Sequence, residues 1–323
     1  MLGKLVILFL LTGSEAVQRF LSEPESVVVR EGTEEVILSC VVSGKLGSLQ
    51  WTRDDFGLGT SRRLSGFSRY SMTGREKDGE WHLRITNVTM EDDARFQCQV
   101  GATETVDPIR SEYAEVTVVS VPEPPVITAG PSLVLREGRP GLVECVSRGG
   151  RPASSITWRL NGEILTSEID EKIEHIEGSK KTVTVSQLSL PSSRSMSGGV
   201  LECEAVSEDE ELVRRVMGEG EELMTRVNTS LVVEYQPEVS IAANMETVQE
   251  GDLVKMTCSA SASPELVEYQ WHVGGQEVTE ARGASELVLQ ADRRLHGQRV
   301  TCLARNRVGQ SSADLELDVK CKF

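Results

Sequence analysis

The chain has 323 residues, with 50 acidic against 34 basic side chains, a net charge of −16 and an apolar share of 39%. That length exceeds what one hydrophobic core fills, so two or three domains are expected. An acidic surface repels phosphate, which argues against nucleic acid or an anionic membrane face as a partner.

In chain order, Lys4 comes first, followed by the apolar run LVILFLL over 5–11. Ser14 and Ala16 then stand at −3 and −1 of a cleavage point before Val17. Residues 1–16 read as a secretory signal peptide, too short to span a bilayer. A secreted or extracellular location is expected for the chain as given, and the plasma membrane if it is part of a longer protein. Export puts seven cysteines in an oxidising compartment, where disulfides are the first reading.

Six of them recur in a frame. Cys40 with Cys98, Cys145 with Cys203 and Cys258 with Cys302 each enclose a tryptophan at a similar offset, Trp51, Trp158 and Trp271. Such separations are far from CxxC metal spacing, so neither a metal nor a cofactor is expected. Ahead of each first cysteine stand SVVVREG, LVLREG and ETVQEG; ahead of each second cysteine stand HLRI, QLSL and ELVL. The first set reads as strands ending in turns. The second reads as the strand pairing with the one that bears the first cysteine.

Short alternating strands around a buried tryptophan and an inter-sheet disulfide define an all-β chain of three tandem immunoglobulin-like sandwiches in an extended rod. Each bridge contributes about 4 kcal/mol by loop-closure entropy before strain. The proline-bearing connectors VPEPP and EYQP divide the chain into 17–120, 121–235 and 236–323. The tyrosine expected two residues before each second cysteine is Phe96, Leu201 or Val300, so its corner hydrogen bond is absent. Asp92 is placed to pair with Arg69 across the base of the first domain.

The four histidines are scattered over the domains and neither GxSxG nor HExxH occurs. No catalytic residue or small-molecule substrate is therefore expected. The acidic run over 207–223 lacks ordered calcium-loop spacing and reads as a solvated loop between the last two strands of the second domain. Asn87-Val88-Thr89 and Asn228-Thr229-Ser230 are glycosylation sequons. Cys321 is left over, either because its partner lies in a continuation or because it dimerises the chain.

Several stretches are more specific than immunoglobulin spacing: LQWTRDDFGLG, LSGFSRYSM, EDDARFQCQVG, IRSEYAEVTV, VPEPPVI and ECVSRGGRPASSITW. They resemble the irregular chiasm C-roughest and Kirre (Dumbfounded) proteins of the nephrin-like immunoglobulin superfamily. The resemblance implies cell recognition and adhesion through the first domain, with the protein itself or a related immunoglobulin-superfamily protein on an opposing cell as partner. It also implies longer relatives, usually with five such domains, a membrane helix and a cytoplasmic tail. A soluble binding protein that does not bridge cells is the alternative.

Trp51 and Cys98 point inward, so Gln50 and Thr52 on one strand and Gln97 and Gln99 on its neighbour point outward. Phe56 and Leu58 from the following connection and Ile109 and Arg110 from the closing strand are expected to flank them. These eight residues are the expected partner-binding set, on the sheet that the resemblance implies for recognition. Glu31 is expected on the other sheet.

Overall fold

The computed structural model describes residues 17–320 apart from 167, 219–223, 246 and 266; the signal peptide reading and Cys321 lie outside the described residues. In the first domain the alternating runs become β1 (Arg19–Ser22), β2 (Val27–Arg30), β3 (Glu35–Leu38), β4 (Val41–Ser43), β5 (Leu49–Arg53), β6 (Phe56–Gly59), β7 (Tyr70–Thr73), β8 (His82–Thr86), β9 (Ala94–Val100), β10 (Ile109–Arg110) and β11 (Ala114–Val119). One sheet has the order β2-β11-β9-β5-β6 with β10 on β9, and the facing one has β3-β8-β7. β1 pairs with β4, and β2 joins β11 in parallel, so the second strand lies on the sheet of the last.

The second domain repeats the plan with β12 (Val126–Ile127), β13 (Ser132–Arg136), β14 (Gly141–Gly150), β15 (Ser154–Leu160), β16 (Glu163–Ile164), β17 (Ile169–His175), β18 (Thr182–Leu190), β19 (Val200–Ser207) and β20 (Met224–Ala243). β12-β14-β18-β17 faces β16-β15-β19-β20, and β13 lies parallel to β20. The third has β21 (Val248–Gln249), β22 (Leu253–Ser263), β23 (Glu268–Val273), β24 (Gln276–Glu277), β25 (Glu286–Gln290), β26 (Arg299–Arg305), β27 (Gln310–Glu316) and β28 (Val319–Lys320).

All three expected disulfides are present, Cys40–Cys98, Cys145–Cys203 and Cys258–Cys302. Trp51, Trp158 and Trp271 are fully buried against them. A buried indole N–H needs an acceptor. Each finds one from the facing sheet or its edge: Trp81 O at 2.8 Å, Ser186 Oγ at 3.0 Å and Ala284 O at 2.9 Å.

Phe96, Leu201 and Val300 are fully buried where the corner tyrosine would stand. In the first domain a phenol arrives from the opposite sheet instead. Tyr70 Oη on β7 donates to Asp92, which also takes the Arg69 guanidinium (Nη2 to Oδ1 3.0 Å) and the Thr89 N–H at 2.8 Å. The ring of Tyr70 meets Phe96 edge-on, 6.2 Å between centroids. The expected Arg69–Asp92 pair is therefore one arm of a buried network.

The domains are joined by backbone as well as by side chains. At the first junction Ser120 and Arg151 exchange two main-chain hydrogen bonds of 2.9 Å. Asp93 accepts from Arg151 Nε at 2.9 Å, Lys180 Nζ at 2.9 Å and the Val118 N–H at 3.1 Å. Burial disfavours the charge on Asp93, but these three donors outweigh it and hold the carboxyl below its ordinary value. Glu31 directly follows β2, on the same sheet as β5 and β9 and not on the opposite one as expected, because β2 joins β11; it pairs with Lys181 at 2.6 Å and so belongs to this junction.

At the second junction β20 runs on without a break from the second domain into the third. There it pairs with β22, Val239 opposite Ala260 and Ile241 opposite Cys258. The stretch around Pro237, expected as a connector, is strand with a register shift between Tyr235 and Glu238. Proline lacks the N–H for a ladder bond and is accommodated at such a bulge. The acidic run does lie between β19 and β20, but it contains α1 (Glu210–Arg214). Asp209 caps this helix by accepting from the Leu212 N–H at 2.9 Å, and Val213 is buried beneath it.

Candidate recognition face of the first domain

Trp51 sits opposite Cys98, so the positions on either side pair outward: Gln50 with Gln99 and Thr52 with Gln97. On the other side of β9, Arg110 sits opposite Gln99 and Ile109 opposite Val100. Gln50, Gln99 and Arg110 thus form one row across β5, β9 and β10. Gly57 lies under the Gln50 amide: a Cβ there would come 3.0 Å from Gln50 Oε1.

Five of the eight expected residues are placed differently. Gln97 is only 6% exposed, because its Nε2 donates to Ser111 O at 2.7 Å and its Oε1 accepts from Gln99 Nε2 at 2.7 Å. Thr52, beside it, is 3% exposed. Leu58 is a core residue, 3% exposed and clustered with Leu64. The pairing of β5 with β6 shifts register between Trp51 and Thr52, and a one-residue shift turns a side chain to the other face. Phe56 is 68% exposed but pairs with Arg53, whose guanidinium turns toward Tyr70 Oη at 3.1 Å on the core side, so Phe56 stands at the sheet edge. Ile109 is half-buried and packs on the core.

The face also carries residues outside the expected set. Ala114, Val116 and Val118 point inward, so Tyr113 and Glu115 point outward by the same alternation. That signal was available in YAEVTV. Tyr113 Oη donates to Asp55 Oδ1 at 2.6 Å, and the Arg95 guanidinium lies 5.0 Å from its ring centroid. The Asp55 bond holds the phenol above its ordinary value. Asp54 and Asp55 make the two-residue turn between β5 and β6, both with positive φ (47° and 68°). Asp54 fastens that turn to β9 by donating its N–H to Arg95 O at 2.8 Å and accepting from the Arg95 N–H at 3.0 Å.

Both sequon asparagines are exposed. Asn87 lies in the turn after β8, on the sheet away from the glutamine row, and Asn228 lies within β20.

Comparison with known proteins follows this geometry. An immunoglobulin I-set profile matches residues 18–110, a CD80-like C2-set immunoglobulin profile 125–212 and an immunoglobulin domain profile 236–306. The irregular chiasm C-roughest protein of Drosophila melanogaster is 33% identical over 327 residues, covering 94% of this chain and 41% of its own length. Kin of IRRE-like protein 2 of Mus musculus is 35% identical over 301 residues, covering 93% and 40%. The crystal structure of Rst D1-D2 superposes with a TM-score of 0.58 at 36% identity, covering 67% of this chain and 99% of that one. The chain belongs to the irregular chiasm C-roughest and Kin of IRRE-like family. It spans about two fifths of the length of these curated relatives. The full ectodomain of mouse nectin-like molecule 4, at 22% identity and a TM-score of 0.54, shares the three-domain fold. Within this C-roughest-like chain, Gln50, Gln99 and Arg110 lie in the segments LQWTRDDFGLG, EDDARFQCQVG and IRSEYAEVTV that carried the resemblance. No helix among the described residues is long and apolar enough to cross a membrane.

Proposed function

We propose that the chain is the recognition portion of a cell-recognition and cell-adhesion protein. Exported by residues 1–16, it binds itself or a related immunoglobulin-superfamily protein on an opposing cell. The first domain, residues 17–120, makes the contact, and the two that follow, 121–235 and 236–323, set its distance from the cell.

The row Gln50–Gln99–Arg110 carries this reading. Primary amides donate and accept, so the row can pair with a two-fold copy of itself or with another polar row. The buried neighbours ask for little in return. Gln97 already spends its donor and acceptor within the domain, so covering it leaves no new orphan. A glycan on Asn87 would leave this sheet clear, since that residue follows β8 on the opposite one.

The test is binding and cell aggregation with point variants of the exported chain. Gln99→Arg and Gln50→Glu each weaken binding roughly tenfold or more while leaving the melting temperature unchanged, because they bury an unmatched charge at the contact. Ile37→Lys, on an exposed position of β3 in the opposite sheet, changes neither. Wild-type binding by both glutamine variants would place the contact elsewhere.

A further inference from the structure

The outer face of the second domain's sheet is unlike that of the first. Along β20, Leu231 and Val233 point into the core at 1% and 0% exposure, so Ser230 and Val232 point out. Val134 on β13 sits directly opposite Val232, and Val200 on β19 directly opposite Ser230. The three valines are 55%, 37% and 40% exposed and together ring Ser230 on three adjacent strands. β-Branched side chains in cross-strand register on an open face are the groups that pair sheets together.

Asn228 stands on this same face, two residues before Ser230 and opposite Glu202. It is diagonal to Val200, a spacing of about 7–8 Å between strand neighbours of this kind. It opens the sequon that Ser230 completes, and both residues are exposed.

We propose that Asn228 carries an N-linked glycan that lies over Val200, Val232 and Val134 and keeps this face from pairing with another sheet. In the modification, Asn228 Nδ2 bonds to the anomeric carbon of a lipid-pyrophosphate-linked oligosaccharide. The bond from that carbon to the pyrophosphate oxygen breaks, the lipid pyrophosphate leaves with the electron pair, and the amide proton passes to a base of the transferase. The C–H faces of the proximal sugar rings then cover the valine methyls, and their hydroxyls meet water. The glutamine row of the first domain has no sequon on its face, so sugar would leave one sheet open and close its counterpart. That last contrast rests on the recognition reading above; the covering of the second domain does not.

The experiment uses the full chain secreted from a eukaryotic host. Mass spectrometry of peptides released by an amidase-type glycosidase should show Asn228 converted to Asp. Sedimentation should then show that Asn228→Gln and Ser230→Ala, which lose the sugar without adding a charge, each self-associate about tenfold more tightly than the glycosylated chain. Adding Val232→Glu to Asn228→Gln should return association to the wild-type level. Gln99→Arg should leave this gained association intact, which separates it from contacts of the first domain. An unmodified Asn228, or Asn228→Gln and Ser230→Ala proteins that associate no more than the glycosylated chain, would overturn the proposal.

Discussion

Asp92 is fully buried and holds Arg69, Tyr70 and the Thr89 N–H at the base of the first domain. Removing one member of a buried charge pair strands the other, so Asp92→Ala should cost about 3–5 kcal/mol in urea denaturation. Tyr70 reports on the same network through pH. Burial first, and then its bond to the Asp92 carboxylate, push the phenol from 10.0 up to about 12. The neutral phenol is therefore favoured by the fold. Its contribution is complete below the unfolded value near 10 and disappears as pH rises through about 12. Melting curves between pH 9 and pH 12 should show this loss in the wild type and a flatter profile in Tyr70→Phe. An equal alkaline loss in Tyr70→Phe would assign it to other groups.

At the scale of the element, the close approach of two turns fixes the end of the glutamine sheet that lies away from the second domain. Gly47 precedes β5 and Gly101 follows β9, and a Cβ on Gly47 would stand 1.8 Å from Gly101 O. Gly47→Ala must push the turns apart, at about 1–3 kcal/mol by the usual cost of overpacking, visible as a lower melting temperature of the first domain. Ser48→Ala, beside it, should leave that temperature nearly unchanged. Strand positions were legible in the sequence because a tryptophan or cysteine known to point inward fixes the direction of every second neighbour. Gln50 and Gln99 followed from that rule, and the cysteine pairs from the recurring frame of cysteine, tryptophan and cysteine. Leu58 did not, because a register shift leaves no mark in composition. Gln97 did not, because its burial comes from a bond to Ser111 more than ten residues away. The stretch around Pro237 reads as a connector, and only the neighbouring β22 shows that β20 continues past it.

For the whole molecule, the first junction turns on Asp93. With Arg151 and Lys180 on the second domain gripping a carboxylate of the first, Asp93→Ala should widen the range of interdomain angles. Small-angle scattering would register this as a broader distance distribution, with the melting of each domain little changed. The sign with pH follows from the lowered carboxyl: the clamp is intact above the ordinary carboxylate value and opens as pH falls through the lower folded value. In the proposed role between cells, the chain is also pulled. Each domain has an early strand parallel to its last, β2 with β11, β13 with β20 and, over two residues, β21 with β28. Tension along the chain therefore loads those ladders in shear, where several hydrogen bonds must fail together, and β20 hands the load from one domain to the next with no slack between them. Should a ladder give way, the disulfides limit how far the chain pays out. The bridges span 58, 58 and 44 residues, so each withholds about 150–200 Å of extended chain from a tether under force.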